Sequence, residues 1–567
     1  MFENTTKIRE FAQIQENLNS LPEKASESDI ANFINQIPQE YLQQKDDLMI
    51  ICQLIGRYSR NFVLTSKRNT IKLFEYLMDQ IKTLLLDESE FFWNILGGTY
   101  YMHLWMHQQG LISIEEIILR IQKFKCPPFT EYFLPEIIEE APDIFENEIK
   151  NSLNLEYSKE SIEKFKELRK KHFKWLIESS DYNDPFYREI ETDPLRLALK
   201  TDDIESFQRI VSNLNLSVNY KIQESLLENF FIDMADYSLL EFAILFNSTK
   251  IFKYLVMNGS DGEDYVYMSI WRRNYEMIHI IESLKKEDFI DKALYFSITL
   301  CNNEIVEYIL DNYGCDVLEK SELTSDEKND ILTIFGNTAR STNFIVLESV
   351  LLPFIQKNPE FVDENIFEIL NKSSQDYSGF FIRELMKSSK FDVNTNAKSR
   401  TEPSLLEYAL SKRNKKMIEI LLSDPNIDLI SRGFNGFQPY ILACGLYSSM
   451  TIMDMICRHQ NAVIDLNELF ASSALLGSFY CLKYIIDNFK EKKISLSVSD
   501  MFMAAAENKW YTVELLLSYY VDHHKEKSSV DIIDEFQHEV PQDLKDKDEL
   551  ISRFIRLVPK IKLCLNQ

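Results

Sequence analysis

The chain has 567 residues, of which 45 % are hydrophobic, with only 13 glycines and 15 prolines and a formal net charge of −27. This length exceeds what one compact core supports, so the sequence predicts several domains or a solenoid, and the scarcity of glycine and proline favours helices over a β-rich or disordered chain. Because a strongly acidic chain repels phosphate backbones, nucleic acids are disfavoured as partners, and basic protein surfaces are favoured over anionic membranes.

The eight cysteines are scattered along the chain without a CxxC pair, a distribution typical of reduced, buried thiols in an intracellular protein. The N-terminus, MFENTTKIREFAQ, has no hydrophobic signal core. No uninterrupted apolar run approaches the length of about 18 residues that a transmembrane helix needs. We therefore expect a cytoplasmic protein without membrane insertion.

Residues 1–190 are predicted to form an α-helical domain. Apolar residues recur at helical spacing in Thr70–Leu86, and the Lys-rich stretch Ser161–Ile177 is typical of a further amphipathic helix. Ser113 is followed three residues later by Glu116, a capping box whose side chains satisfy the first backbone N–H groups of another helix. We expect this domain to cap the solenoid that follows, because a terminal repeat would otherwise expose an apolar face.

Two later segments have nearly the same sequence. SLLEFAILFNSTKIFKYLVMNG, from Ser238, matches SLLEYALSKRNKKMIEILLSDP, from Ser404, through two helices. Both copies open with a capping box, completed by Glu241 and Glu407, and both have a polar turn between the helices. After the second copy, the Asn-Gly dipeptide at 435–436 favours a tight turn, because both residue types tolerate positive φ angles. The pattern predicts a repeated helix-turn-helix unit with a protruding hairpin, or finger.

Aligning the second helices by their apolar pairs places a small side chain inside each first helix, where it permits neighbouring helices to approach closely. The aligned positions are Ala198, Ala243, Ser269, Ser297, Thr338, Ser373, Ala409, Ala443, Ser473 and Ala504. The units at 269 and 297 are too short for a full finger, and the last four spacings are close to about 33 residues. This pattern predicts a solenoid of about ten units over residues 191–520. A linker and a C-terminal capping helix are predicted over 521–567.

These units resemble the ankyrin repeat. QPYILA (438–443) and SLLEYA (404–409) occupy the place of that family's TPLHxA motif. Degenerate units behind an N-terminal helical region are similar to the divergent ankyrin proteins that single-celled parasites carry in large numbers. The resemblance covers about residues 191–520. It implies an all-α, ankyrin-type solenoid that recognises other proteins through its fingers and inner helix face, without chemistry.

The sequence departs from the ankyrin consensus at the histidine of the TPLH motif. Arg196, Glu241, Glu407 and Ile441 stand at that position in four of the units. We therefore expect the hydrogen-bond network between fingers and helices to be weaker than in well-ordered ankyrin proteins.

The sequence contains no pattern that indicates catalysis, a metal or a cofactor. His103 and His107 are four residues apart and share a helix face, but Leu104 stands where the zinc-protease motif HExxH has glutamate. We interpret both histidines as structural. His523 and His524 are adjacent, so they diverge on a helix. The sequence therefore predicts no catalytic, metal-binding or cofactor-binding residues.

Phe434, Asn435 and Phe437 are the candidate partner-binding residues. The two phenylalanines flank the predicted turn, at the place where a finger protrudes from the solenoid. Exposed aromatic side chains within a polar rim anchor many protein interfaces. The alternative is that one of the rings packs on the neighbouring finger or on the helix below it.

These observations favour a non-enzymatic scaffold that binds an unidentified protein partner. One alternative is an enzyme with its site in the N-terminal helical domain and the repeats as a targeting module. A pocket in residues 1–190 with converging titratable side chains would favour that alternative. Another is a HEAT-like helical solenoid with a structural role, which would lack hairpin fingers at 259–262 and 433–437.

Overall fold

The structure of the chain is a computed structural model. It describes residues 5–539 and Val558, with the exception of 23–24, 62–64, 97–99, 125–126, 150–157, 224–226, 228–235, 261–264, 285, 314–317, 319–322, 374–375, 377–378, 388–390, 397–398, 400, 434–435, 447–449, 476–477, 490–509 and 525–526. The described residues are predominantly helical, and the fold is essentially all-α, as the sequence predicts. None of the described helices is both long enough and apolar enough to cross a bilayer.

The N-terminal part of the chain is built of short helices. They are Thr5–Asn19, Glu27–Gln36, Gln39–Gln43, Lys45–Asn61, Thr65–Tyr76, Met78–Leu84, Ser89–Leu96, Tyr100–Gln108, Ile114–Phe124, Pro127–Glu140, Pro142–Ile144 and Lys159–Glu178, with a π-helical turn at Phe145–Ile149 and a 3₁₀ turn at Pro185–Glu189. The predicted capping box is present, since the Ser113 N–H donates to Glu116 Oε2 over 2.9 Å. The apolar pattern of Thr70–Leu86 belongs to two helices, which meet at Leu77, and not to one.

From Pro194 onward many of the helices occur in pairs. As far as Leu385 they are Pro194–Lys200, Ile204–Leu214, Leu239–Leu245, Thr249–Met257, Tyr265–Arg272, Tyr275–Leu284, Lys286–Thr299, Asn303–Tyr313, Ser325–Ser341, Phe344–Val346, the π-helical Leu347–Leu351, Leu352–Lys357, Pro359–Glu364, Ile366–Lys372 and Phe380–Leu385. Among the described residues the only sheet is a short antiparallel pair, β1 (Lys221–Gln223) and β2 (Asp236–Ser238), with Ile222 opposite Tyr237.

The C-terminal helices continue the paired pattern. They are Leu405–Lys412, Lys415–Leu422, Pro439–Leu446, Met450–Cys457, Leu466–Leu475, Phe479–Asn488, Trp510–His523 and Ser529–Glu539. The last of these helices lies within residues 521–567, for which the sequence predicts a linker and a C-terminal capping helix. Its start is capped by Ser528, whose Oγ accepts the Asp531 N–H over 3.1 Å. The predicted final helix, at 550–565, lies outside the described residues except for Val558.

The two matched segments each form a pair of helices, as predicted. In both copies the first helix opens with the predicted capping box: the Ser238 N–H donates to Glu241 Oε2 over 2.8 Å, and the Ser404 N–H donates to Glu407 Oε2 over 2.7 Å. All four of these residues are buried. The capping boxes therefore lie inside the packed structure, where an unsatisfied backbone N–H would be costly.

The turn between the two helices of a pair has the same geometry along the chain. The carbonyl of the aligned small residue accepts the N–H of the residue five positions later, over 2.8–3.0 Å, in Ala198–Asp203, Ala243–Ser248, Ser297–Asn302, Thr338–Asn343, Ala409–Asn414 and Ser473–Ser478. The residue before this donor is left-handed in five of these pairs, with φ of 51–57°, at Asp202, Asn247, Cys301, Thr342 and Arg413. This arrangement closes the first helix by satisfying a carbonyl that the helix itself leaves free.

The small side chains are buried, which confirms the packing reason for their size. The nine described positions are at most 3 % exposed, and Ala504 lies outside the described residues. Ser373 is a partial exception to the alignment, because it follows the helix Ile366–Lys372 as its C-cap instead of lying within a first helix. Its position was assigned from spacing, which does not fix a helix boundary.

In two of these turns the side chain of the donor residue also links successive helix pairs. Ser248 Oγ donates to the carbonyl of Leu199. Asn302 Nδ2 donates to the carbonyl of Ile270 over 3.2 Å. These side chains are fully buried, so each hydrogen bond joins two neighbouring turns in the dry interior.

Packing divides the chain into two compact bodies. Body 1 comprises Met1–Glu146 and Leu153–Phe391, and body 2 comprises Asn147–Ser152 and Asp392–Gln567. The sequence predicts that the repeats begin near residue 190 and end near residue 520. The division into two compact bodies does not test these two boundaries, which remain predictions.

Within body 1 the N-terminal helices contact two separate parts of the paired region. Trp175 packs on Tyr187 with ring centroids 4.4 Å apart, and Tyr187 OH accepts a hydrogen bond from Lys200 over 3.0 Å. Further along the chain, Phe11 lies 5.0 Å from Phe344. The N-terminal region therefore covers the first helix pair, as a cap would, and also packs against a pair much later in the sequence.

Candidate functional site

The finger at 424–438 lies between two helix pairs of body 2. The preceding helix ends at Leu422, before Pro425. The finger turns back on itself at its tip, where the Gly433 N–H donates to the Phe437 carbonyl over 3.1 Å. Gly436 has a φ of +73°, a conformation that glycine adopts at no steric cost. Phe434 and Asn435 lie outside the described residues.

A glutamate supports the base of this finger at the position where the ankyrin motif has histidine. Glu407 is buried, and a Cβ at Gly433 would lie 2.2 Å from Glu407 Oε1. Residue 433 therefore has no room for a side chain, and the finger backbone lies directly against the carboxylate. Glu407 therefore holds the finger in contact with the first helix of this unit.

Asparagine side chains join this finger to both of its neighbours. On one side, Asn394 Nδ2 donates to the Asn426 carbonyl over 2.8 Å, and Asn394 Oδ1 accepts the Asp428 N–H over 2.7 Å. On the other side, Asn461 Nδ2 donates to the Pro425 carbonyl over 2.7 Å. We define the finger row as the three segments 392–403, 424–438 and 458–465, which these bonds connect.

The finger row leaves three large apolar side chains exposed. Ile430 is 50 %, Phe437 46 % and Val463 64 % exposed, whereas Val393 and Ile427 of the same row are buried. Burial of one apolar set already anchors the fingers to the rest of body 2. The exposed set is therefore free to contact another molecule, and it includes one of the two phenylalanines singled out in the sequence.

Polar groups hold the finger tip next to Phe437. Arg432 forms an ion pair with Glu468 at 2.7 Å and donates to the Gly436 carbonyl over 3.2 Å, which fixes the finger tip. Tyr440 OH donates to Gln438 Oε1 and lies 3.3 Å from the other oxygen of Glu468. Burial and the Glu468 carboxylate raise the pKa of Tyr440 to about 12, so its hydroxyl stays protonated and continues to donate.

The histidines considered in the sequence have separate environments. His103 is buried and stacks on Trp93 at 4.0 Å. His107 contacts the Ile112 carbonyl at 2.8 Å and Glu140 Oε1 at 2.9 Å. Across the part of the chain that the structure describes, no group of three His, Cys, Asp or Glu side chains is placed to hold a metal ion.

A pocket in the N-terminal part of body 1 was not predicted from the sequence. It has a volume of about 370 Å³ and lies between the helices Tyr100–Gln108, Pro127–Glu140 and Lys159–Glu178. Aromatic rings, among them Trp105 and Tyr132, line it together with charged side chains. Each helix contributes only a few lining residues, so no single stretch of sequence carries the signal.

No protein-family model matches the sequence, and no curated protein matches it significantly.

Proposed function

We propose that this protein is a non-enzymatic, ankyrin-type scaffold that binds a protein partner through the finger row. The observation that carries the proposal is the exposure of Ile430, Phe437 and Val463 on two of the three fingers that side-chain hydrogen bonds hold together. Apolar groups on a fixed backbone bind at a low entropic cost, because the surface is already ordered before the partner arrives.

Helix stacking supports the ankyrin-type solenoid. In body 2, the first helices Leu405–Lys412, Pro439–Leu446 and Leu466–Leu475 contact one another in sequence, and so do the second helices. The same order of contacts joins Pro194–Lys200, Leu239–Leu245 and Tyr265–Arg272 in body 1. Contacts confined to neighbouring units are the defining property of a solenoid.

The finger geometry favours the ankyrin type over the HEAT-like alternative. A hairpin turn is present at 433–437, where the Gly433 N–H donates to Phe437 O. The other discriminating segment, 259–262, is described only as far as Ser260. There Gly259 has the left-handed φ of +78° that a helix stop followed by a turn requires.

The proposal can be tested with the full-length chain, immobilised for capture of partners from cell extract. A fragment that begins at residue 191 is unsuitable, because the helix Thr5–Asn19 packs on Phe344 within body 1. A protein captured by the wild type is identified by mass spectrometry, purified and titrated against variants. Phe437→Ala should weaken that binding by roughly 30-fold, or about 2 kcal/mol, the scale of an interface hot spot.

Two valines provide a matched comparison for the same titration. Val463 and Val530 are both 64 % exposed, but only Val463 belongs to the finger row. We expect Val463→Ser to weaken binding and Val530→Ser to leave it unchanged. Equal affinities for all three variants and the wild type would refute the finger row as the binding surface, even if a partner is captured.

An enzyme with its site in the N-terminal region is the second candidate, since the pocket at the helix Tyr100–Gln108 is a feature that would favour it. The described lining of the pocket contains carboxylates, amines and phenols, but no histidine, cysteine or serine. Its Arg169–Glu136 ion pair, described below, occupies both partners with each other. A pocket of this composition is better suited to binding than to nucleophilic or acid–base chemistry.

A further inference from the structure

Aromatic rings form one part of the wall of the pocket in body 1. Trp105 and Tyr132 are buried side chains that form part of the lining, and Phe173 adds a half-buried ring from the third helix. The volume of about 370 Å³ falls within the range of roughly 300–1,000 Å³ that is typical of small-molecule sites. Rings on several sides of one cavity are suited to a flat apolar group, which gains from burial and from ring–ring contacts.

A buried ion pair contributes a polar surface to the lining. Arg169 Nη1 lies 2.9 Å from Glu136 Oε2, and Arg169 Nη2 lies 2.6 Å from Glu136 Oε1. The guanidinium also donates to the Tyr132 carbonyl and lies 5.1 Å from the centroid of that ring. These two charges neutralise each other, so neither is available to hold a charged ligand.

Two other charges in the lining are not used by the protein. Glu167 and Lys170 are exposed and lie three residues apart on the helix Lys159–Glu178, which places them on one face. Among the described residues, neither side chain takes part in a hydrogen bond or an ion pair. Lys166, which also lines the pocket, is instead paired with Glu139.

We propose that this pocket binds a free aromatic amino acid in its zwitterionic form. The ring enters between Trp105, Tyr132 and Phe173, the ligand ammonium pairs with Glu167, and the ligand carboxylate pairs with Lys170. A ligand with one charge uses only one of the two free groups, and a neutral ligand uses neither. The inference concerns a different part of the chain from the finger row and does not depend on it.

The test is isothermal titration of the full-length protein with three probes that share one ring. L-tryptophan carries both charges, N-acetyl-L-tryptophan lacks the ammonium, and L-tryptophanamide lacks the carboxylate. Because exposed ion pairs contribute up to about 1 kcal/mol, each analogue should bind about threefold to fivefold more weakly than L-tryptophan. Failure of L-tryptophan to bind at millimolar concentration, or equal affinity for all three probes, would overturn the proposal.

Variants assign each charge to its residue. Glu167→Gln should abolish the preference for L-tryptophan over its N-acetyl derivative, and Lys170→Gln should abolish the preference over the amide. Glu163→Gln and Lys174→Gln make the same changes of charge on the same helix, outside the pocket lining, and should retain both preferences. Loss of a preference in a control variant would show a general effect of helix charge and contradict the assignment. All four positions are on the surface, so thermal unfolding should be unchanged and folding is not a confounding factor.

Discussion

The helix pairs around Ser269 and Ser297 are joined by a much shorter connecting segment than the pairs of body 2. The helix Tyr275–Leu284 is separated from Lys286–Thr299 by a single residue, whereas the pairs of body 2 are joined through fingers. The turn after Ser297 nevertheless has the same hydrogen bond as the turns after Ala409 and Ser473 in body 2. Stacking of pairs therefore requires the turn and its buried hydrogen bonds but not the fingers.

The hydrogen bonds that join neighbouring pairs fall into two groups. Some lie in the interior, as between Asn302 and the Ile270 carbonyl in body 1 and between Cys444 Sγ and Ser473 Oγ in body 2. In body 2 asparagines at the surface, such as Asn461, join one finger to the next. The fingers thus form a separable outer layer, on which exposed apolar groups can vary without disturbing the stack. The following predictions test this separation.

The largest loss of stability should follow a substitution in the N-terminal helix Thr5–Asn19, which packs against later helices of body 1. Phe11 is fully buried and contacts the rings of Tyr41, Phe344 and Phe380. Phe11→Ala should lower the free energy of unfolding by about 3–5 kcal/mol, because it removes a buried ring and leaves a cavity. Urea unfolding followed by tryptophan fluorescence is the suitable measurement, since four of the five tryptophans belong to body 1. A shift below about 1 kcal/mol would mean that this helix is not part of the body.

The second-largest loss of stability should follow enlargement of an aligned alanine, and it should be equal in the two bodies. Ala243 and Ala409 are fully buried at equivalent positions of the first helix. Replacement of either by leucine should destabilise the protein by about 1–3 kcal/mol, because added methylenes overpack a close helix contact. Ser411→Leu, at an exposed position of the same helix as Ala409, is the control and should change stability by less than about 0.5 kcal/mol. Unchanged urea midpoints for both alanine variants would contradict the common packing of the pairs.

Removal of a buried asparagine should lower the free energy of unfolding more than removal of an asparagine in the fingers. Asn302→Ala removes a fully buried hydrogen bond and leaves the Ile270 carbonyl without that donor, so we expect a loss of about 1–3 kcal/mol. Asn461→Ala acts at a half-exposed site where water replaces the lost bonds, so about 0.5–1 kcal/mol is expected. Far-UV circular dichroism during urea unfolding reports both variants. Equal or reversed costs would mean that the fingers are as much a part of the core as the turns.

The smallest effect on stability should come from the finger tip. Phe437 is 46 % exposed, so Phe437→Ala should change the free energy of unfolding by less than about 1 kcal/mol while binding of the captured partner falls. Thermal unfolding and affinity are to be measured on the same preparation. A clear loss of stability with affinity retained would support the alternative in which this ring serves packing.

Features that depend on neighbouring residues were predicted from the sequence. A capping box requires a serine and a glutamate three residues apart, and both Ser238–Glu241 and Ser404–Glu407 form as expected. The small side chains were found because two copies could be aligned, and their burial confirms that alignment at Ala243 and Ala409. Spacing alone was less reliable, as at Ser373, because a period fixes the length of a unit but not the end of its helices.

A signal for the turns was present in the sequence but was not used. Asp203, Ser248, Asn302, Asn343 and Asn414 each stand five residues after an aligned small residue. Short polar side chains at this position start the second helix, and Ser248 and Asn302 reach back to the preceding pair. The recurrence of Asn, Ser and Asp at one offset would have located the turns independently of the apolar pattern.

Only the tertiary structure decided which distant segments meet. Phe11 and Phe344 are separated by most of body 1, and nothing in the local sequence of either specifies the other, because apolar contacts are not directional. The same holds for the pocket, which draws Trp105, Tyr132 and Lys170 from three helices. Capping and turn formation are fixed by residues that the chain itself keeps close together. Contacts between remote segments depend on how whole helices pack, and that is a property of the folded body.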